Sequence, residues 1–226
     1  MLVFFHGGCE YNPVPSPGAQ ARYRALIDCG ADAVVAAHTH CAQGWELYHG
    51  KPIVYSMGNL TFKHEFSNIP DSWFWGYVCR LTLTDDAETP FGVEAVPYRF
   101  DPETGDIRLM RGEDKARALA LLDKLSALVK DEKTVSDLYD GWCMVSGLKG
   151  VRRLLQLTEE DVTPADAPLA SASLAAVKNL FGCEAHNELM RRTTALLFTG
   201  RYAQALKHRD EILALQEAES ALGRGE

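Results

Sequence analysis
The chain has 226 residues, 46% of them hydrophobic and 24% charged, which is enough apolar material for a sizeable core. A net charge of -8 and the lack of any Lys/Arg run exclude a protein that tracks a nucleic-acid backbone, and no apolar run nears the roughly 18 residues needed to span a bilayer. The opening MLVFFHGG has no basic leader, so the chain as written reads as cytoplasmic, with six free, partly buried thiols; a chain that opens inside a strand also reads as the downstream part of something longer.

Residues 2–5 form a continuous apolar run ending at His6-Gly7-Gly8, the pattern of a strand covered on both faces. Asn12-Pro13-Val14-Pro15-Ser16-Pro17-Gly18 reads as a non-helical loop, and residues 19–29 as a helix with Tyr23, Leu26 and Ile27 on one face and Gly30 as its stop. Residues 31–37 give a second buried strand that ends at His38-Thr39-His40. Strand, helix and strand make a βαβ unit with parallel strands, so His6 and the His38/His40 pair fall on one sheet edge.

Residues 45–48 and 53–56 flank a four-residue turn, His49-Gly50-Lys51-Pro52, and read as a hairpin whose second strand resumes at residues 60–62. Residues 75–84, 91–100 and 106–110 alternate as an antiparallel meander. From Glu113 the period becomes helical: residues 114–130 carry Leu119, Leu122, Leu125 and Val129 on one face. Further helices are expected over 134–157, 174–198 and 202–222, with an acidic linker over 158–168. The boundary falls near Arg111-Gly112-Glu113, giving an α/β part over 1–112 and a helical extension over 113–226.

His38-Thr39-His40 offers two imidazoles from one strand end, and side chains at i and i+2 of a strand share a face. With His6 from the parallel neighbour, these are three candidate metal ligands. Glu10 is placed to ligate, to act as general base or to hold a ligand imidazole; an exposed loop carboxylate is the alternative. Asn59 can orient a substrate or simply form its turn. Cys9 and Cys41 adjoin the histidines as possible soft ligands, although their spacing is irregular. His64, the Cys183/His186 pair and the Lys149, Arg152, Arg153 cluster read more simply as surface or packing residues.

Taken together, His6-Gly7-Gly8-Cys9-Glu10-Tyr11, Pro13 and Pro15, Gln20, Gly30-Ala31-Asp32, His38-Thr39-His40 and the hairpin over 46–62 resemble the bacterial capsule-synthesis family of the poly-gamma-glutamate CapA/PgsA type. The resemblance covers about the first quarter of the chain closely. It implies a calcineurin-like metallophosphatase sandwich, partial here because the family's N-terminal half is absent, followed by the all-helical extension. It also implies that His6 and His38 serve one ion and His40 its neighbour; Glu10 and Asn59, read from the residues themselves, are the candidate catalytic groups beside them. The complete domain would hold two divalent ions (Mn, Fe or Zn), and this chain one or none. Thr39 stands where the family has proline, and Ala37 where it has glycine.

Two functional readings follow. One is a metal-dependent hydrolase-like protein of capsule biosynthesis acting on a phosphate ester or an amide-linked polymer. The other is a non-catalytic binding or assembly module from a truncated or split gene, with a partner chain, or a second copy, pairing at an open strand edge near Leu2. Neither reading involves nucleic acid or a membrane segment.

Overall fold
The computed structural model describes residues 1–62, 69–84, 91–150, 178–180 and 182–225. The chain is mixed α/β, with two sheets and flanking helices. It divides into two compact units, Met1–Ser136 with Ile212–Glu226, and Asp137–Glu211. Among the described residues no helix is long and apolar enough to cross a membrane.

In the first unit, β1 (Leu2–His6), β2 (Ala33–Ala37), β3 (Trp45–Tyr48) and β4 (Lys51–Val54) form a sheet in the order β1-β2-β4-β3. β1, β2 and β4 are parallel, and β3 closes antiparallel onto β4. The register pairs Leu2 with Ala33 and His6 with Ala37, and the Gly7 N–H extends it to the Ala37 carbonyl at 3.0 Å. The turns that follow β1 and β2 therefore leave side by side, as the βαβ reading requires.

α1 (Pro17–Asp28) links these strands. It begins two residues earlier than the sequence reading placed it. The Ser16 hydroxyl accepts from the Ala19 N–H at 3.1 Å, and Pro17 occupies the first helical position, where its missing N–H costs nothing. Its buried face holds Gln20, Tyr23, Arg24 and Ile27 rather than Leu26. Arg24 is buried because Glu46 meets it in a bidentate pair at 2.8 and 2.9 Å; the Tyr55 hydroxyl also donates to Glu46, at 2.6 Å. This network ties α1 to the β3–β4 hairpin.

Three further expectations are corrected. β1 is not covered on both faces: it is the sheet edge, and Leu2 and Phe4 are 47% and 75% exposed. The hairpin turn has two residues, not four. His49 and Gly50 both take left-handed backbone (φ 51° and 74°), which matches the twist of the strands and lets Tyr48 pair with Lys51. Finally, residues 60–62 do not resume β4. Instead, a single bridge joins Met57 to Ala42, and another from Gly58 to Gly76 in the next strand reaches the second sheet. Gly58, at φ 76°, lies so close to the Trp75 carbonyl that a Cβ there would sit 2.8 Å from its oxygen.

The second sheet is the expected antiparallel meander: β5 (Trp75–Leu83), β6 (Phe91–Phe100) and β7 (Ile107–Leu109). α2 (Gly112–Leu128) buries Leu121, Leu122 and Leu125 and stays with this unit, so the compact units divide well beyond the change of period near residue 112. α3 (Glu132–Trp142) leads into the second unit. There a π-helical turn, Cys143–Gly147, packs near α4 (Glu184–Phe198), and Arg192 pairs with Asp140 at 2.5 Å. α5 (Tyr202–Ala205) precedes α6 (Arg209–Arg224), whose C-terminal part returns to the first unit. The expected linker over 158–168 lies outside the described residues, as do parts of the helices expected on either side of it.

Candidate metal centre
The turns after β1 and β2 are zipped to one another. The Tyr11 N–H donates to the Thr39 carbonyl at 2.8 Å, and the Thr39 hydroxyl donates to the Cys41 carbonyl at 2.9 Å. Thr39 is buried at the centre of this arrangement. His38, His40 and Tyr11 all take positive φ, at 119°, 57° and 62°. Left-handed backbone at residues other than glycine costs of order 1–3 kcal/mol each and persists where the surroundings impose it, most often at functional sites. The H-x-H pair therefore does not converge through strand alternation. β2 ends at Ala37, and a curled turn, pinned by Thr39, brings the two rings to 5.8 Å between centroids.

Glu10, His38 and His40 each offer a ligating atom, and these atoms lie within 4.8 Å of one another. Glu10 Oε1 is 3.8 Å from His38 Nε2. On its other side, His38 Nδ1 is 3.2 Å from His6 Nε2, so His6 stands directly against His38. His40 Nδ1 lies 2.9 Å from Asn59 Oδ1, and the Asn59 amide donates from Nδ2 to the Trp73 carbonyl at 3.2 Å. All five residues singled out by sequence thus occupy one connected site. Asn59 is buried and engaged with His40 rather than aimed at open space.

A metal fits this donor set. A carboxylate and two imidazoles are a familiar donor set for a borderline divalent ion, and their ligating atoms lie close enough together to share one. Aromatic rings wall one side: Trp73 stacks on His40 at 4.3 Å and 23°, Tyr11 lies 6.1 Å from Trp73, and the exposed Phe62 meets His40 edge-on at 5.4 Å. Burial raises the Tyr11 hydroxyl pKa, and the neighbouring Glu10 and Cys41 add to the effect. Cys9 and Cys41 are buried; burial pushes the Cys41 thiol well up, and its Sγ donates to the Asn12 carbonyl at 3.2 Å. They stand outside the convergent trio. Cys183 and His186 form no comparable cluster among the described residues, while His64, Arg152 and Arg153 lie outside those residues.

Residues 1–64 match the family described as bacterial capsule synthesis protein PGA_cap. Among curated proteins, a capsule biosynthesis protein CapA of Bacillus anthracis is 38% identical over 80 residues, which is 35% of this chain and 20% of that protein. A PGA biosynthesis protein CapA of Bacillus subtilis is 34% identical over 99 residues, 43% of this chain and 26% of the relative. A probable polyglutamine synthesis accessory protein of Mycobacterium tuberculosis is 34% identical over 64 residues, 28% of this chain and 17% of the relative. The chain thus spans about a quarter or less of the length of these relatives, between 17% and 26%. The matched segment contains every residue of the convergent site except Trp73.

Tyr11 and Trp73 were not singled out by the sequence. Tyr11 adjoins Glu10 in the same turn, and that proximity was the available signal. Trp73 sits in a short 3-10 turn, Asp71–Phe74, whose local sequence says nothing of His40.

Proposed function
We propose that the first unit is a partial calcineurin-like metallophosphatase sandwich whose divalent-metal site serves hydrolysis of a phosphate ester or an amide-linked polymer in polyglutamate capsule synthesis. The carrying observation is the convergence of Glu10, His38 and His40 at the ends of adjacent parallel strands. The names of the capsule and PGA biosynthesis relatives support the pathway.

In this reading His38 and His40 hold the ion from their ring nitrogens, and Glu10 completes the set. A bound divalent ion supplies Lewis acidity to a phosphoryl or acyl oxygen and acidifies water. Asn59 accepts the Nδ1 proton of His40, which leaves Nε2 as the lone-pair donor. His38 Nδ1, 3.2 Å from His6 Nε2, would donate to it in this reading, leaving the His38 Nε2 that faces Glu10 for the ion. The Glu10 oxygen not used on the ion would take a proton from the attacking water. Hydrolysis then places the water oxygen on phosphorus or the acyl carbon and delivers a proton to the leaving alkoxide or amine. The aromatic wall of Tyr11, Trp73 and Phe62 limits solvent access on one side.

The test is metal titration of the full chain with Mn2+, together with turnover of p-nitrophenyl phosphate and of poly-gamma-glutamate. Wild type should bind, and His40→Ala and Glu10→Ala should lose binding at least tenfold. Equal metal binding by wild type and both variants would overturn the site. A second reading, a binding or assembly module, is favoured by the exposed outer face of β1 at Leu2 and Phe4. It predicts metal binding without turnover of either substrate.

A further inference from the structure
Helix α6 is separated from the site by most of the sequence, yet it touches three of the segments that build it. Gln216 Nε2 donates to the Tyr11 carbonyl at 2.7 Å, next to Glu10. One helical turn on, Glu219 is 1% exposed, with the Ala42 N–H and the Cys41 thiol as its polar neighbours. Neither of its carboxyl oxygens forms a well-shaped hydrogen bond. One turn further, Gly223 packs directly on the turn that carries Trp73: a Cβ there would lie 1.7 Å from the Asp71 carbonyl oxygen. Arg224 reinforces this contact through Asp71 at 3.1 Å. Residues 216, 219 and 223 share one helical face.

We propose that α6 is a brace for the metal centre, with Gln216, Glu219 and Gly223 as positioning residues that hold the Glu10–Tyr11 turn, the His40–Ala42 turn and the Trp73 turn at fixed spacing. The proposal rests on the metal reading given above. The physical need is plain. His38, His40 and Tyr11 hold left-handed backbone that short turns do not keep unaided, so something outside the turns must impose it. The zipper between Tyr11 and Thr39 joins the two turns to each other, and α6 fixes the pair to the rest of the unit. A helix is a rigid ruler, with 1.5 Å of rise per residue, so three anchors on one face set three distances at once. Placing a carboxyl-bearing side chain in full burial behind the His40 turn is costly, and it is tolerated where a position matters more than stability.

The test uses the full chain and two variants. Gln216→Glu keeps the shape but removes the donor to Tyr11; Gly223→Ala pushes the helix from Asp71. Mn2+ affinity should fall about tenfold in Gln216→Glu and in Gly223→Ala, the scale seen when groups that orient metal ligands are lost. A second readout needs no metal: the His38 and His40 imidazole nitrogen resonances of the metal-free chain should shift in Gln216→Glu. Far-UV circular dichroism checks that each variant folds; Gln216 is only half-buried, so Gln216→Glu keeps the test valid if Gly223→Ala fails to fold. Unchanged affinity and unchanged imidazole resonances in folded Gln216→Glu would overturn the brace. Absence of Mn2+ binding in wild type would instead sink the metal reading, and the imidazole resonances would then decide on the brace by themselves.

Discussion

His40 and Asn59 form the most constrained pair in the site. Asn59 Nδ2 donates to the Trp73 carbonyl, which has no proton to give, and this fixes the amide so that Oδ1 faces His40 Nδ1 at 2.9 Å. His40 must then carry its proton on Nδ1 and present Nε2 as a lone pair. The backbone carbonyl of Asn59 is held too, by the Tyr98 hydroxyl at 2.9 Å. The tautomer of a candidate ligand is thus set by a residue of the second sheet's neighbourhood.

Asn59→Ala removes the acceptor that selects this tautomer. Mn2+ affinity should fall about 10- to 100-fold. Asn59→Asp keeps an acceptor for Nδ1–H but loses the donor to Trp73, and should fall between. Isothermal titration on folded protein measures both, and equal affinity in Asn59→Ala would show that His40 does not depend on this bond.

Glu219 makes stability depend on pH. Burial raises its carboxyl pKa well above the usual 4.5, partly offset by the Ala42 N–H; the Cys41 thiol is the titratable group beside it. Below pH 4.5 both folded and unfolded chains hold this proton. Above it the unfolded chain releases the proton while the folded chain keeps it, so the contribution to stability falls as pH rises towards the folded pKa. Glu219→Gln has no proton to lose. Thermal melts should show its advantage over wild type growing from pH 4.5 upwards, and a constant difference across pH would refute the assignment.

The Arg24–Glu46 pair predicts a large, site-independent loss. Both side chains are at most 10% exposed, and the carboxylate also accepts from Tyr55. Glu46→Ala leaves the guanidinium with Glu132 and two backbone carbonyls but strands the buried Tyr55 hydroxyl, which costs about 1–3 kcal/mol. The urea midpoint should drop accordingly, with metal affinity of the remaining folded fraction little changed.

In the β3–β4 hairpin, His49 bears a backbone conformation that asparagine adopts more readily. His49→Asn should stabilise the protein by about 0.5–1 kcal/mol. Its pairing with Asp28 is solvent-exposed at 3.8 Å, so losing that pairing subtracts little. A lower urea midpoint for His49→Asn would contradict the turn geometry.

Much of the first unit was legible because its signals are local. Apolar runs bounded by glycine located β1 and β2, alternation located β5 and β6, and a 3.6 period located α2. Parallel connectivity alone brought His6 beside His38. What failed depended on distant partners. The exposure of Leu2 and Phe4 reflects which strand ends a sheet, and no local pattern records that. The left-handed turns at His38 and His40 are joined to the Tyr11 turn by a hydrogen bond between Tyr11 and Thr39 that crosses two loops. Arg24 reads as a surface residue until Glu46 is placed against it. The reach of α6 was invisible for the same reason, since 205 residues separate Gln216 from the Tyr11 carbonyl it binds.

The stacking of Trp73 on His40 gives the protein an internal optical probe. An indole 4.3 Å from an imidazole is quenched more strongly when that imidazole is protonated, and its emission changes again when the ring nitrogen is occupied. Trp73 is one of four tryptophans, so subtracting the spectrum of Trp73→Phe isolates its signal. Occupancy and proton state of a single histidine can then be followed in real time, without label, in dilute solution.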